Sequence, residues 1–228
     1  MPVDIITGSA LGSLLGMRHA LEPDHLAAVS TLVTGERSSR RAMLLGACWG
    51  VGHSATLLLV GAILVALRSE MPANAADAFE SLVAVMLIAL GARAVYQAAR
   101  LGPAGPAHVH HHGRIVHRHS GAAGHIHIAG WTLARRPLIV GAIHGLAGSG
   151  ALTALVLTTL PSTAARLTYM GLFGLGSTVG MAAVSGVLGW PIARLGSHHT
   201  VVRAVSLVVG CVSIALGVTW GYRVSLHF

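Results

Sequence analysis

The stretch Ala42–Leu67, AMLLGACWGVGHSATLLLVGAILVAL, holds no Asp, Glu, Lys or Arg. A bilayer core needs ~20 mainly apolar helical residues to be crossed, so this run is long enough. Its most polar side chain, His53, falls at its middle. Pro137–Ala165 and Leu167–Ala193 are runs of the same kind, and Ala204–Tyr222 just reaches the length. Ser81–Ala99 is interrupted only by Arg93, near an end where a long stem can snorkel to the interface. Ile5–Val33 is apolar except for Arg18, His19, Glu22, Asp24 and His25 at its centre. The expectation is an all-α, polytopic membrane protein of about six transmembrane helices.

Composition agrees. Apolar residues make up 54% of the 228-residue chain and charged residues 10%, against roughly 25% charged in a soluble domain. The outside of such a protein faces something other than water. There is no lysine, and no acidic residue follows Glu80. A net charge of +8 does not point to nucleic acid, because the arginines lie between apolar runs and form no basic face. Gly35–Arg41 carries three arginines, Arg100–Arg136 five and Gly189–Arg203 two, whereas Arg68–Asp77 and Pro161–Arg166 carry one each. The positive-inside rule then puts the arginine-rich loops in the cytoplasm and both termini outside. Cys48 and Cys211 lie in apolar runs and form no CxxC, so they carry no information on compartment. The start lacks the positive region of a cleavable signal peptide. A multi-pass protein of a cell membrane, with a bacterial plasma (inner) membrane as the expected one, follows.

The chain also resembles itself. Gly16-Met17-Arg18-His19-Ala20-Leu21 aligns with Gly141-Ala142-Ile143-His144-Gly145-Leu146. Trp49-Gly50-Val51-Gly52-His53-Ser54 aligns with Phe173-Gly174-Leu175-Gly176-Ser177-Thr178, and Ile88-Ala89-Leu90-Gly91 with Ile214-Ala215-Leu216-Gly217. The three matches keep their order and nearly one offset. Units of three helices enter the membrane from opposite sides, which makes two inverted three-helix repeats, an architecture of secondary transporters. The expected division of the single transporter domain is residues 5–98 for repeat one, 99–137 for a cytoplasmic histidine-rich loop and 138–224 for repeat two.

His19-Ala20-Leu21-Glu22-Pro23-Asp24-His25 concentrates ionisable groups in mid-span. One charge there costs ~2.5–3.5 kcal/mol on insertion scales, and such residues usually mark an ion path. Pro23 removes a backbone donor and clashes with the carbonyl of His19, so a kink or break is expected, with that carbonyl freed as an oxygen ligand. A kink would also turn Asp24 toward His19 and His25. Imidazole nitrogen suits nickel, cobalt, zinc and copper, whereas magnesium and calcium prefer oxygen. His53 follows Gly50 and Gly52, which would let backbones approach closely, and His144 stands at the repeat position of His19. A lone membrane histidine such as His144 serves equally well as a hydrogen-bonding partner between helices.

His19-x4-Asp24-His25 in a membrane helix resembles the signature of the nickel/cobalt transporter family. Gly52-His53-Ser54 and His144-Gly145-Leu146-Ala147-Gly148-Ser149 resemble further patterns of that group. Members of the family usually carry one more helix before the signature helix; here it comes first, as in the shorter urease-accessory branch. The resemblance implies a metal-selective site of His19, Asp24, His25 and His53. With His144 these are the candidate transport-site residues, and Ni2+ or Co2+ is the expected cargo, with no cofactor.

The segment preceding Pro137 holds His108, His110, His111, His112, His117, His119, His125 and His127. Its Gly/Pro-rich start reads as a flexible, disordered loop whose imidazoles bind metal weakly, with His108, His110, His111 and His112 as accessory ligands. The expected function is transport of a divalent transition metal by alternating access; protonation of His19 or His25 would expel the metal, and the energy source is left open. An efflux protein of the same fold, or an accessory protein delivering nickel to urease or hydrogenase maturation, are the alternatives. Bis-histidine haem binding is disfavoured by the spacing of His19 and His25. No nucleophile–base pair or phosphate loop suggests an enzyme. The expected partners are the metal ion and the bilayer, with homo-oligomerisation left open.

Overall fold

The computed structural model describes residues 2–34, 36, 38–100, 108–112, 115–119, 125–128, 131–195 and 199–226. Seven helices are described: α1 (Pro2–His19), α2 (Pro23–Val33), α3 (Ser39–Leu67), α4 (Ala73–Arg100), α5 (Arg135–Thr159), α6 (Thr163–Leu195) and α7 (His199–Ser225). Five of them, α3 to α7, are long and apolar enough to cross a bilayer. The sixth expected span, Ile5–Val33, is broken, the second of the two outcomes expected of Pro23, and forms two helices. Pro23 is the first residue of α2, where its missing N–H is one that no helical carbonyl would have reached anyway. The helix therefore stops at His19 and restarts at Pro23 after three intervening residues. The Leu21 and Glu22 N–H groups bond the carbonyls of Arg18 (2.9 Å) and His19 (3.1 Å). The His19 carbonyl, expected to be free for a ligand, is thus occupied by the turn itself.

Between α4 and α5 the chain was expected to lack regular structure. Its described residues instead form two antiparallel hairpins, β1 (His108–His112) with β2 (Ile115–His119), and β3 (His125–Ile128) with β4 (Trp131–Ala134). In the first, His108 pairs with His119 and His110 with His117. In β3, His125-Ile126-His127-Ile128 alternates with a strand's two-residue period.

Close helix pairs are α3 with α6, α3 with α5, α4 with α7 and α1 with α6. Glycines set these contacts, because backbones meet where side chains are absent. A Cβ on Gly16 would overlap the Phe173 carbonyl and the Ser177 N–H, and one on Gly141 would overlap the Trp49 carbonyl and the His53 N–H. Gly52 lies on the Leu138 carbonyl and Gly176 on that of Ser13. Gly50 meets Thr178, and Gly174 meets Ser54. Gly91 faces Gly210 and Ile214; Gly217 faces Ala84 and Ile88. The close approach that Gly50 and Gly52 suggested is therefore present. Ser54 adds a polar tie, donating to the Gly174 carbonyl (2.7 Å) beside Thr178 Oγ1 (3.0 Å).

The solvent pattern is that of a protein in lipid. Leu14, Leu59, Val85, Val187 and Val208 are exposed, while Asp24, His25, His53 and His144 are buried. One apolar core gathers Val29, Val33, Trp49, Val83, Leu87 and Met181; a second joins Leu57, Val65, Val156, Met170 and Phe173. Tyr96 under Arg100 (4.4 Å) and Trp190 under Arg194 (4.3 Å) sit near the helix ends that lead into arginine-rich loops, as interfacial anchors do.

Candidate metal centre

The α1–α2 break lies level with the middle of α3, because the His19 ring at the end of α1 is 5.3 Å from that of His53. α1 ends by presenting His19, the first turn of α2 presents Asp24 and His25, α3 presents His53 and α5 presents His144. All five candidate residues come together. The His19 and His25 rings are 4.3 Å apart, His19 and His53 5.3 Å, and His25 and His53 5.2 Å. His25 and His144 stack at 4.1 Å.

The five form two overlapping groups. In one, single ring nitrogens of His19, His25 and His53 all lie within 4.8 Å of each other; in the other, ligand atoms of Asp24, His25 and His144 do. Metal–nitrogen bonds of about 2.1 Å put opposed donors about 4.2 Å apart. The three imidazoles would have to draw closer together to share one ion, since donors that are not opposed lie nearer than that.

Hydrogen bonding separates their roles. An ionised carboxylate only accepts, so His25 donates from Nδ1 to Asp24 Oδ1 (3.1 Å) and His144 from Nε2 to Asp24 Oδ2 (2.7 Å). Both Asp24 oxygens are engaged. His19 Nδ1 likewise meets Glu22 Oε1 at 3.0 Å. In each pair the carboxylate occupies one ring nitrogen, which leaves the other with a bare lone pair. His19 Nε2, His25 Nε2, His144 Nδ1 and both nitrogens of His53 are buried with no partner among the described residues. Burying polar atoms without partners is costly, and a cation is the species that satisfies several imidazole lone pairs together.

Two neighbours were not anticipated from sequence. Glu22 was read only as part of the costly cluster, although its i,i+3 spacing from His19 pointed to the contact. Trp49 is fully buried against His25 (5.4 Å) and His144 (5.8 Å), its Nε1 without a partner. It precedes His53 by one helical turn and so shares its face. The accessory candidates His108, His110, His111 and His112 lie on the first hairpin, not among these residues.

Residues 6–220 match the family model for the high-affinity nickel-transport protein, NicO. The chain belongs to that family. It is a multi-pass membrane protein of nickel transport and not an enzyme. It is 30% identical to the urease accessory protein UreH of Bacillus sp. (strain TB-90), over 98% of this chain and 94% of that one. Two plant proteins are also similar. The chloroplast protein FOR GROWTH AND FERTILITY 2 of Arabidopsis thaliana is 24% identical over 82% of this chain and 48% of its own length. FOR GROWTH AND FERTILITY 1 of the same plant is 31% identical over 42% and 27%. No solved structure matches. The NicO match spans both halves of the chain, including α2, α3 and α5, which carry the buried imidazoles.

Proposed function

We propose that this NicO protein carries Ni2+, and Co2+ as a close second, through a midplane site made by His19 Nε2, His25 Nε2 and a ring nitrogen of His53. The observation that carries the reading is the convergence of these buried, unpartnered nitrogens at the break of an otherwise apolar path. Asp24 acts through its neighbours. It fixes the tautomers of His25 and His144 and supplies the negative charge that offsets a divalent ion in a low-dielectric site. His144 Nδ1, on the other side of that carboxylate, is the next donor an ion would meet. Nitrogen donors favour nickel over cobalt in the usual affinity order.

The transport cycle in this reading is alternating access by two inverted repeats, α1–α4 and α5–α7, joined by the histidine hairpins. The glycine contacts support it. Exchanging the halves turns Gly16–Phe173/Ser177 into Gly141–Trp49/His53, Gly52–Leu138 into Gly176–Ser13, Gly50–Thr178 into Gly174–Ser54, and Gly91–Gly210/Ile214 into Gly217–Ala84/Ile88. A pair of units related in this way can rock about the shared contact of α3 and α6 with equivalent packing in both positions. The arginine-rich loops lie in the cytoplasm and both termini outside.

The test is 63Ni flux into liposomes reconstituted with the wild type and with His25→Ala, with Co2+ and Zn2+ as competitors. Wild-type flux lost in the variant is the expected result. Equal flux from both would refute the site. A second reading has one observation in its favour: the UreH relative is named for urease accessory function. Delivery of nickel to a maturing enzyme, without release into bulk solution, would appear as saturable binding with no liposome flux.

A further inference from the structure

Exposure falls in steps through the cluster. The Glu22 side chain is 52% exposed and that of His19 15%, while His25 and His53 are 1% and 0% exposed. Glu22 does not stand alone on the open side. Arg18 and Pro23 are exposed beside it, and Leu21 is 56% exposed. This uncovered face lies at the α1–α2 break, level with His53 in the middle of α3. Lipid at that depth does not solvate a carboxylate and a guanidinium one turn apart. Irregular backbone at membrane depth also persists only where protein or water covers it.

We infer that the α1–α2 break opens onto a water-filled vestibule, with Glu22 at its inner end as the carboxylate that draws a hydrated divalent cation to His19. This rests on the reading of the three histidines as a cation site. Glu22 serves twice. Its charge raises the local cation concentration at the break. Its Oε1 also holds His19 Nδ1, so that Nε2 faces inward to His25 and His53. A cation arriving at Glu22 meets His19 next and then, by ring distances of 4.3 and 5.3 Å, the two closed-off imidazoles. Glu22 is a recruiting and positioning residue; the ion is retained by the nitrogens.

Two measurements test this. In a Cys48→Ala, Cys211→Ala background, Leu21→Cys is exposed to a charged, membrane-impermeant methanethiosulfonate in sealed vesicles, with Val187→Cys, on an outward apolar face, as comparator. Modification of Leu21→Cys about tenfold faster than Val187→Cys, slowed by Ni2+, is expected. Reaction only with membrane-permeant N-ethylmaleimide, or only after solubilisation, would mean that lipid or a second copy of the chain covers this face, and would overturn the vestibule. In liposomes, Glu22→Gln keeps an acceptor for His19 Nδ1 but loses the charge. It should raise the apparent KM for Ni2+ about tenfold and leave kcat within about twofold. An unchanged KM alongside normal wild-type flux and a dead His25→Ala sinks this inference alone; a fully active His25→Ala sinks the site beneath it.

Discussion

The two halves of the chain make similar glycine contacts and differ in the side chains around them. Gly16 and Gly141, Gly52 and Gly176, and Gly91 and Gly217 make matching backbone contacts. At the aligned positions between them, His53 corresponds to Ser177, Asp24 to Ser149 and His25 to Gly150; only His19 has a histidine counterpart, His144. In the first half His19 Nε2, His25 Nε2 and both His53 nitrogens have no partner among the described residues, nor has His144 Nδ1 in the second, whereas Ser177 donates to the Gly16 carbonyl (3.2 Å) and Ser149 to that of Leu146 (2.6 Å). The Ser177 hydroxyl ties α6 to α1, whereas that of Ser149 is satisfied within α5. A buried imidazole with a free lone pair is not satisfied in this way. Backbone packing and ion chemistry are thus separable properties of the same fold.

That comparison can be broken in several places. The largest effect belongs to His53→Ala, which removes a buried donor and nothing that another side chain depends on; Ni2+ uptake in liposomes should fall to background. Asp24→Ala comes next. It leaves His25 and His144 unoriented, and Ni2+ affinity measured by calorimetry should drop about 10–100-fold, as when other carboxylates behind metal-binding histidines are lost. Gly141→Ala pushes a Cβ into the Trp49 carbonyl, so α3 and α5 must separate. A cost of about 1–3 kcal/mol should appear as a lower midpoint of thermal unfolding in detergent, while Gly171→Ala, with nothing within 4 Å, should leave the midpoint unchanged. Ser177→Ala removes one interhelical hydrogen bond worth about 0.6 kcal/mol; a small fall in the midpoint with Ni2+ affinity intact is expected, and lost affinity would end the contrast with His53. Last, deleting residues 108–127 should leave Ni2+ flux unaltered, and its disappearance would show that the hairpins belong to the transport path.

Parts of this were legible in the linear chain for clear reasons. Apolar length revealed α3 to α7, since crossing a bilayer has a minimum cost in residues. His19, Asp24 and His25 stood out because nothing but function repays charge in lipid. The hairpins were misread because Gly102, Pro103, Gly105 and Pro106 drew attention away from the strand-like alternation that follows them. Pro23 announced a disruption, but its position could not distinguish a kink from an end. That depended on whether the chain resumed with Pro23 at the first helical position, where a proline costs nothing.

Membrane insertion, the repeated glycines and the presence of a polar cluster are local properties, decided by composition and period, and the amino-acid order alone determines them. Which nitrogen of each histidine is free is not local. It depends on Asp24 reaching across to α5 for His144, on Glu22 folding back to His19 within the turn, and on Gly141 and Gly145 bringing α5 against the backbone around His53. Only the packed helices decide that, because a ring's orientation is set by what it touches.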